Sequence, residues 1–393
     1  MLFLSGTGPR SSASGPVHRT VRVSIAGVTV FACVTAVAAP ASASGAKTSR
    51  VSVTTSGAQG NDHSFGPTVS PDGRYVAFAS TASNLVPSDT NGFDDVFIRD
   101  RRAGTTSRVS LSSTGSQGNH ASFGPMISAD GRYVAFTSYA TNLVPGDTDN
   151  VTDVFIRDRR AGTTSLISQS TGGVQANDFS AGAAVSADGR YVAFYSLASN
   201  LVPGDTNGAY DAFVRDRRTG TTSRVSLSWR GAQTDGDSIA RAMTPDGRYI
   251  VFQSAASNLV PGDTNDNRDM FIHDRRTGTI SRVSISSRGV QADSYSDYAA
   301  ISADGRYVAF ASTATNLVPG DTNTSWDVFL RDRRAGTTRR VSLSNTGSQG
   351  NHDSLGPTIT ADGRYIVLYS AASNLVPHDT NDARDVFIQR RHR

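Results

Sequence analysis

A six-bladed β-propeller of four-stranded blades is the fold this sequence predicts, and three observations predict it. The tetrapeptide Asp-Gly-Arg-Tyr starts at Asp72, Asp130, Asp188, Asp246, Asp304 and Asp362, always 58 residues apart. Each period holds short apolar runs separated by turn residues, the pattern of one blade per repeat. The 393-residue chain has no glutamate and a single lysine, Lys47, so two strong helix formers are missing from the positions that exposed helices fill.

The elements follow in order. Residues 1–43 read as an export signal: Arg10, Arg19 and Arg22 precede an apolar run from Val23 to Val37, and Ala41-Ser42-Ala43 offers a small-x-small cleavage site. A membrane anchor is the weaker reading, because the run falls short of about 20 residues and is diluted by Ser, Thr and Gly. Lipid attachment at Cys33 is weaker still, since Phe31 stands close before it. The mature propeller is then residues 44–393, without cysteine.

In the first period, residues 63–70 are expected as a short innermost strand, and Pro71-Asp72-Gly73 as a tight turn. Tyr75–Ser80 and Asp95–Asp100 carry nearly continuous apolar runs, as strands packed between neighbouring sheets require. Residues 106–112 alternate polar and apolar, as an outer strand does. The chain ends after a third strand, while Thr48-Ser49-Arg50-Val51-Ser52-Val53 repeats the outer-strand motif Thr106-Ser107-Arg108-Val109-Ser110-Leu111. The ring is therefore expected to close by pairing the N-terminal strand in the last blade, which removes two open edges.

Ser-Pro-Asp-Gly-Arg-Tyr-Val-Ala-Phe followed by Asp-Val-Phe-Ile-Arg-Asp and a Gly-Thr-Thr turn resembles the WD-like repeat of TolB-type propellers, over the whole mature chain. The resemblance implies the propeller fold; such propellers serve as binding modules, as appendages of processing enzymes and as lyases. The translocation role of TolB itself, which works with an additional N-terminal domain, is not carried over.

The net charge of +4 loses three arginines with the signal and no acid, leaving 35 basic against 34 acidic residues. Charges of both signs interleave within each repeat, so no nucleic-acid partner is expected. One end of the ring receives the tight turns and the other two long polar loops per blade, the presumptive binding face.

Four sets of residues on that face are candidates. The loop between the second and third strands carries Asp or Asn at the first and third positions and Asp at the seventh: Asp89, Asn91, Asp95; Asp147, Asp149, Asp153; Asp205, Asn207, Asp211; Asp263, Asn265, Asp269; Asp321, Asn323, Asp327; Asp379, Asn381, Asp385. Turns pinned by side chains on their own backbone are the first reading; hard oxygens at this spacing also suit Ca²⁺, the one cofactor the sequence suggests, as the alternative. Gln59, Gln117, Gln175, Gln233, Gln291 and Gln349 recur between blades, as inter-blade ties. The symmetry breaks in blades four and five, at Trp229, Arg230, Arg241, Tyr295, Asp297, Tyr298 and Trp326, where aromatics with Arg and Asp suit a sugar or a peptide. His63, His120 and His352, in loops of neighbouring blades, are a further metal-ligand set.

No Gly-x-Ser-x-Gly or His-Glu-x-x-His occurs, and a glutamate acid or base is excluded. The expected function is that of an exported, monomeric binding module for a protein or cell-envelope polymer, not an enzyme. A polysaccharide-acting enzyme with its site near Arg241 and Tyr298 is the alternative.

Overall fold

The computed structural model describes residues 49–391 apart from Asp382; the stretch read as an export signal with its cleavage site, and Cys33, lie outside them. Among the described residues every regular element is a β-strand, and no helix is long and apolar enough to cross a membrane. Blade one is β1 (Ser64–Val69), β2 (Tyr75–Ser80), β3 (Asp95–Asp100) and β4 (Thr105–Arg108), antiparallel and hydrogen-bonded in that order. The same strands recur at 58-residue intervals as five four-stranded sheets, and a sixth sheet has three: Ser354–Ile359, Tyr365–Ser370 and Asp385–Arg390.

The core lies between blades. Paired phenylalanines of the second and third strands, such as Phe194 and Phe213 with ring centroids 5.5 Å apart, are fully buried. They pack with Ala135, Val154 and Ile156 of the preceding blade. The outer strand is shorter than expected, because the N–H groups of Val109 and Ser110 both turn to the Val96 carbonyl and end the ladder. The chain then bridges Leu111 to Gln117 and leaves for the next blade.

The repeated tetrapeptide is the fastening between blades. Asp72 accepts the Ser70 hydroxyl and the Arg74 N–H and so fixes the turn. Arg74 pairs with Asp100 at the end of β3, 2.7 Å away. Tyr75 lies between the guanidinium groups of Arg74 and, from the following blade, Arg159, at 4.6 and 5.0 Å from its ring centroid. Tyr133, Tyr191, Tyr249 and Tyr307 are sandwiched in the same way by Arg217, Arg275, Arg333 and Arg391.

These pairs make the fold acid-sensitive. Hydrogen bonds from Arg132, Arg190 and Arg248 hold Asp158, Asp216 and Asp274 down at about 2, below the ordinary 3.8. A depressed carboxylate stabilises the fold above its unfolded pKa, and that contribution is lost as pH falls toward the folded value. The melting temperature should therefore drop as pH falls from about 4 to 2. A thermal series on Asp216→Asn should show a shallower drop; an unchanged slope would count against the pairs.

Among the described residues the expected closure by the N-terminal strand is not made. Arg50 hydrogen-bonds Gln59, Val53 bridges Gln59, and Val51 packs on the Phe78 and Leu85 cluster of blade one. These are the contacts that carry each outer-strand end onto its following blade, as Arg108 and Leu111 do with Gln117, so the segment stays with blade one. Among the described residues no strand pairs with the outer edge of the third strand of blade six, and Val386 and Ile388 are exposed at 74% and 66%. On the other side of the seam, Phe65 and Val69 of β1 are exposed as well.

Candidate functional site

The long loops are stitched together by amides. Asn84 donates to the Gln59 carbonyl and accepts the Asn61 N–H, each at 2.9 Å, tying the two loops of one blade. Gln117 of blade two donates to the Thr90 hydroxyl of blade one at 2.8 Å and accepts from Arg108. The loops on this face thus form a braced rim.

Beneath that rim the aspartates form cages, and in four blades the cation is the chain's own. Arg108 sits 3.1 Å from Asp89 and 3.3 Å from Asp95. Arg224 lies 2.8 Å from Asp205 and 3.4 Å from Asp211, and Arg282 lies 2.9 Å from Asp263 and 3.5 Å from Asp269. Arg340 spans Asp321 and Asp327 at 2.8 and 3.4 Å. Asn91, Asn207 and Asn265 add an amide donor to the second carboxylate at 3.0–3.2 Å, and Asn323 turns its amide to the Gly350 carbonyl. At the loops read either as side-chain-pinned turns or as Ca²⁺ sites, a guanidinium stands in blades one, three, four and five. In blade six Asn381 donates to Asp385, while Arg50, the matching arginine, is engaged on Gln59.

Blade two differs twice. Leu166 pairs with Phe155 in the register that Arg108 keeps with Phe97, so the guanidinium is replaced by an isobutyl group. Asp149 replaces the asparagine. Asp147, Asp149 and Asp153 bring carboxylate oxygens within 4.8 Å of one another, and Gln175 donates to Asp147 and Asp153 at 2.9 and 2.7 Å. Burial pushes Asp153 up to about 7, against the hydrogen bonds from Ser168 and Gln175. The histidines His63, His120 and His352 are not brought together as a metal-binding group among the described residues; His120 stacks on Phe93.

The symmetry-breaking residues divide into two places. Trp229 and Arg230 stack on each other, 4.4 Å from guanidinium to ring, on a loop whose counterparts reach the outer strand of the blade they open, as Ser113 does with Thr164. Arg241, Asp297, Tyr298 and Trp326 gather instead at the inner strands of blades four and five. Arg241 bonds Asp297 at 2.7 Å and Gln253 at 2.6 Å, with its guanidinium 6.0 Å from the Tyr298 ring centre. Tyr298 meets Trp326 edge-on at 6.4 Å. Tyr295, exposed, precedes the same strand and accepts the Thr313 N–H.

Local backbone puts the key side chains there. Strand pairing skips Arg241 between Ala240 and Ala242, and skips Tyr298 between Asp297 and Ala299, so each is the extra residue of a β-bulge. Bulges re-aim side chains and are frequent beside functional sites. Tyr298 holds φ at 50°, where Gly66, Gly124 and Gly356 hold 58–60° in sister blades. A Cβ in that region costs roughly 1–2 kcal/mol. Sequence reasoning missed Gln253 and a triad in blade three, Phe179, Tyr195 and Tyr210, with ring centroids 5.7–6.1 Å apart. Burial raises the Tyr195 hydroxyl pKa while Arg241 opposes the rise, which places the triad within the field of the same arginine.

No family model matches the chain, and no curated protein matches it in sequence. Solved structures do resemble it. TolB from Acinetobacter baumannii is 17% identical at a TM-score of 0.41, over 72% of this chain and 58% of that one. A putative TolB from Agrobacterium tumefaciens is 15% identical at 0.45, over 84% and 91%. An oligogalacturonate lyase in complex with manganese is 13% identical at 0.48, over 84% and 77%. This chain spans little more than half of the Acinetobacter protein.

Proposed function

We propose that this propeller is an exported binding module that holds a protein or cell-envelope polymer at the inner mouth of its long-loop face, without transforming it. One observation carries the reading: Tyr298 occupies a position that four sister blades give to glycine, left-handed in three of them, and its strained conformation presents an exposed ring beside the Arg241–Asp297 pair. Strain kept at one blade of six, together with aromatic and charged groups, is the mark of a site selected for contact. The leading export signal supplies the compartment.

Tyr298→Gly separates binding from folding. It should raise the unfolding free energy by about 1 kcal/mol by relieving the left-handed tyrosine. It should also weaken capture by purified cell-wall sacculi, or cross-linking to envelope proteins, by about tenfold, and Arg241→Ala should weaken capture similarly. Soluble fragments released by the wild-type protein and lost in Arg241→Ala would identify an enzyme instead. Failure of the wild-type chain both to pellet and to cross-link would reject the reading.

A further inference from the structure

We propose that Asp147, Asp149 and Asp153 of blade two form a divalent-cation site and take Ca²⁺ where four sister blades place an arginine. This inference is independent of the binding reading above. It rests on an internal comparison rather than on the acidic cluster alone. In four blades the same cage, built by the same strands in the same register, holds a cation between its first and last carboxylates, at 2.8–3.1 Å and 3.3–3.5 Å. Those guanidinium groups show that the cage folds around a positive charge at this point.

In blade two both groups that answer the carboxylates are changed, and in the same direction. Leu166 removes the arginine, and Asp149 converts the amide donor into a third anion. The cage is two charges more negative than its sisters, yet Asp147 and Asp153 are as buried as theirs, at 9% and 1% exposed. Uncompensated carboxylates at that depth are strongly destabilising, and each change alone would worsen the balance. Both together make sense when an external cation replaces the guanidinium.

The donor set selects the ion. Only oxygens are offered, which favours a hard cation over zinc or copper. Ca²⁺ accepts six to eight oxygens in flexible geometry, whereas Mg²⁺ demands a near-ideal octahedron and keeps its waters. Gln175 reaches both buried carboxylates through its amide nitrogen. A half-turn of that amide presents its oxygen to the ion instead.

The test uses the full chain, stripped with chelator and titrated with CaCl₂ by calorimetry, with melting temperature read in parallel. One Ca²⁺ per chain is expected, with a melting temperature that rises with concentration. Leu166→Arg, which installs the sister blades' cation, should abolish calcium binding while raising the chelated melting temperature toward that of the calcium-loaded wild type. That rise excludes misfolding as the cause of lost binding. Asp149→Asn should weaken binding at least about tenfold and leave the protein folded. No calcium binding, a stoichiometry near six, or binding that survives Leu166→Arg would each overturn the proposal.

Discussion

Arg224→Leu should lower the unfolding free energy by about 3–5 kcal/mol, among the largest losses available from a single substitution in this protein. Arg224 is 8% exposed, and it is the one guanidinium between Asp205 and Asp211, whose side chains are 6% and 0% exposed. The surviving donors to Asp211 are the Ser226 and Thr234 hydroxyls and the Asn207 amide; they satisfy lone pairs but bring no positive charge. Removing one partner of a buried pair leaves an uncompensated charge, which costs far more than the pair contributed. Equilibrium denaturation should show the loss as a lower midpoint at unchanged slope. Adding Asp205→Asn to the leucine variant should return part of it, since the remaining anion then stands alone. A loss under about 1 kcal/mol would show that water reaches the cage and that the pair behaves as a surface bridge.

The same cage shows what sequence could and could not reveal. Strands Tyr75–Ser80 and Asp95–Asp100 were legible at their ends, because a rigid period places every boundary six times and both runs are buried on two sides. The outer strand was read too long, because alternation continues through Val109 and Leu111 after the ladder has ended on the Val96 carbonyl. Closure was inferred from motif identity, which records that residues 48–53 are an outer-strand sequence but not which of two neighbours holds them. The Asp-x-Asn spacing was visible as a set of oxygens, whereas its arginine arrives from the outer strand, across a hydrogen-bonded pair that local spacing does not contain. The signal existed all the same: Thr-Thr-Ser-Leu166 stands where other blades end in arginine. Arg241 and Tyr298 were found as departures from the repeat, but their aim was not, since a bulge is a property of pairing.

Gly131→Ala should cost roughly 2–5 kcal/mol, from two sources that a control separates. Gly131 has φ of +69°, where a Cβ costs roughly 1–2 kcal/mol. A methyl there also falls 2.2 Å from Cδ2 of Tyr75, whose ring is fixed between Arg74 and Arg159 and has no free rotamer to yield. Overpacking of this kind adds about 1–3 kcal/mol. Gly73 is the control: it has the same turn and φ of +70°, but its nearest neighbour is Arg101 at 3.6 Å and no tyrosine ring. Gly73→Ala should therefore show the backbone penalty alone, and Tyr75→Ala should relieve only the Gly131 variant, a coupling that a double-mutant cycle reads directly. The comparison also reports on the seam. By the repeat, the ring that would cover Gly73 belongs to Tyr365 of blade six, as Tyr307 covers Gly363. Equal losses at Gly73 and Gly131 would mean that blades six and one are fastened in solution like the other five junctions; a loss at Gly73 smaller by the overpacking contribution is the result this structure predicts.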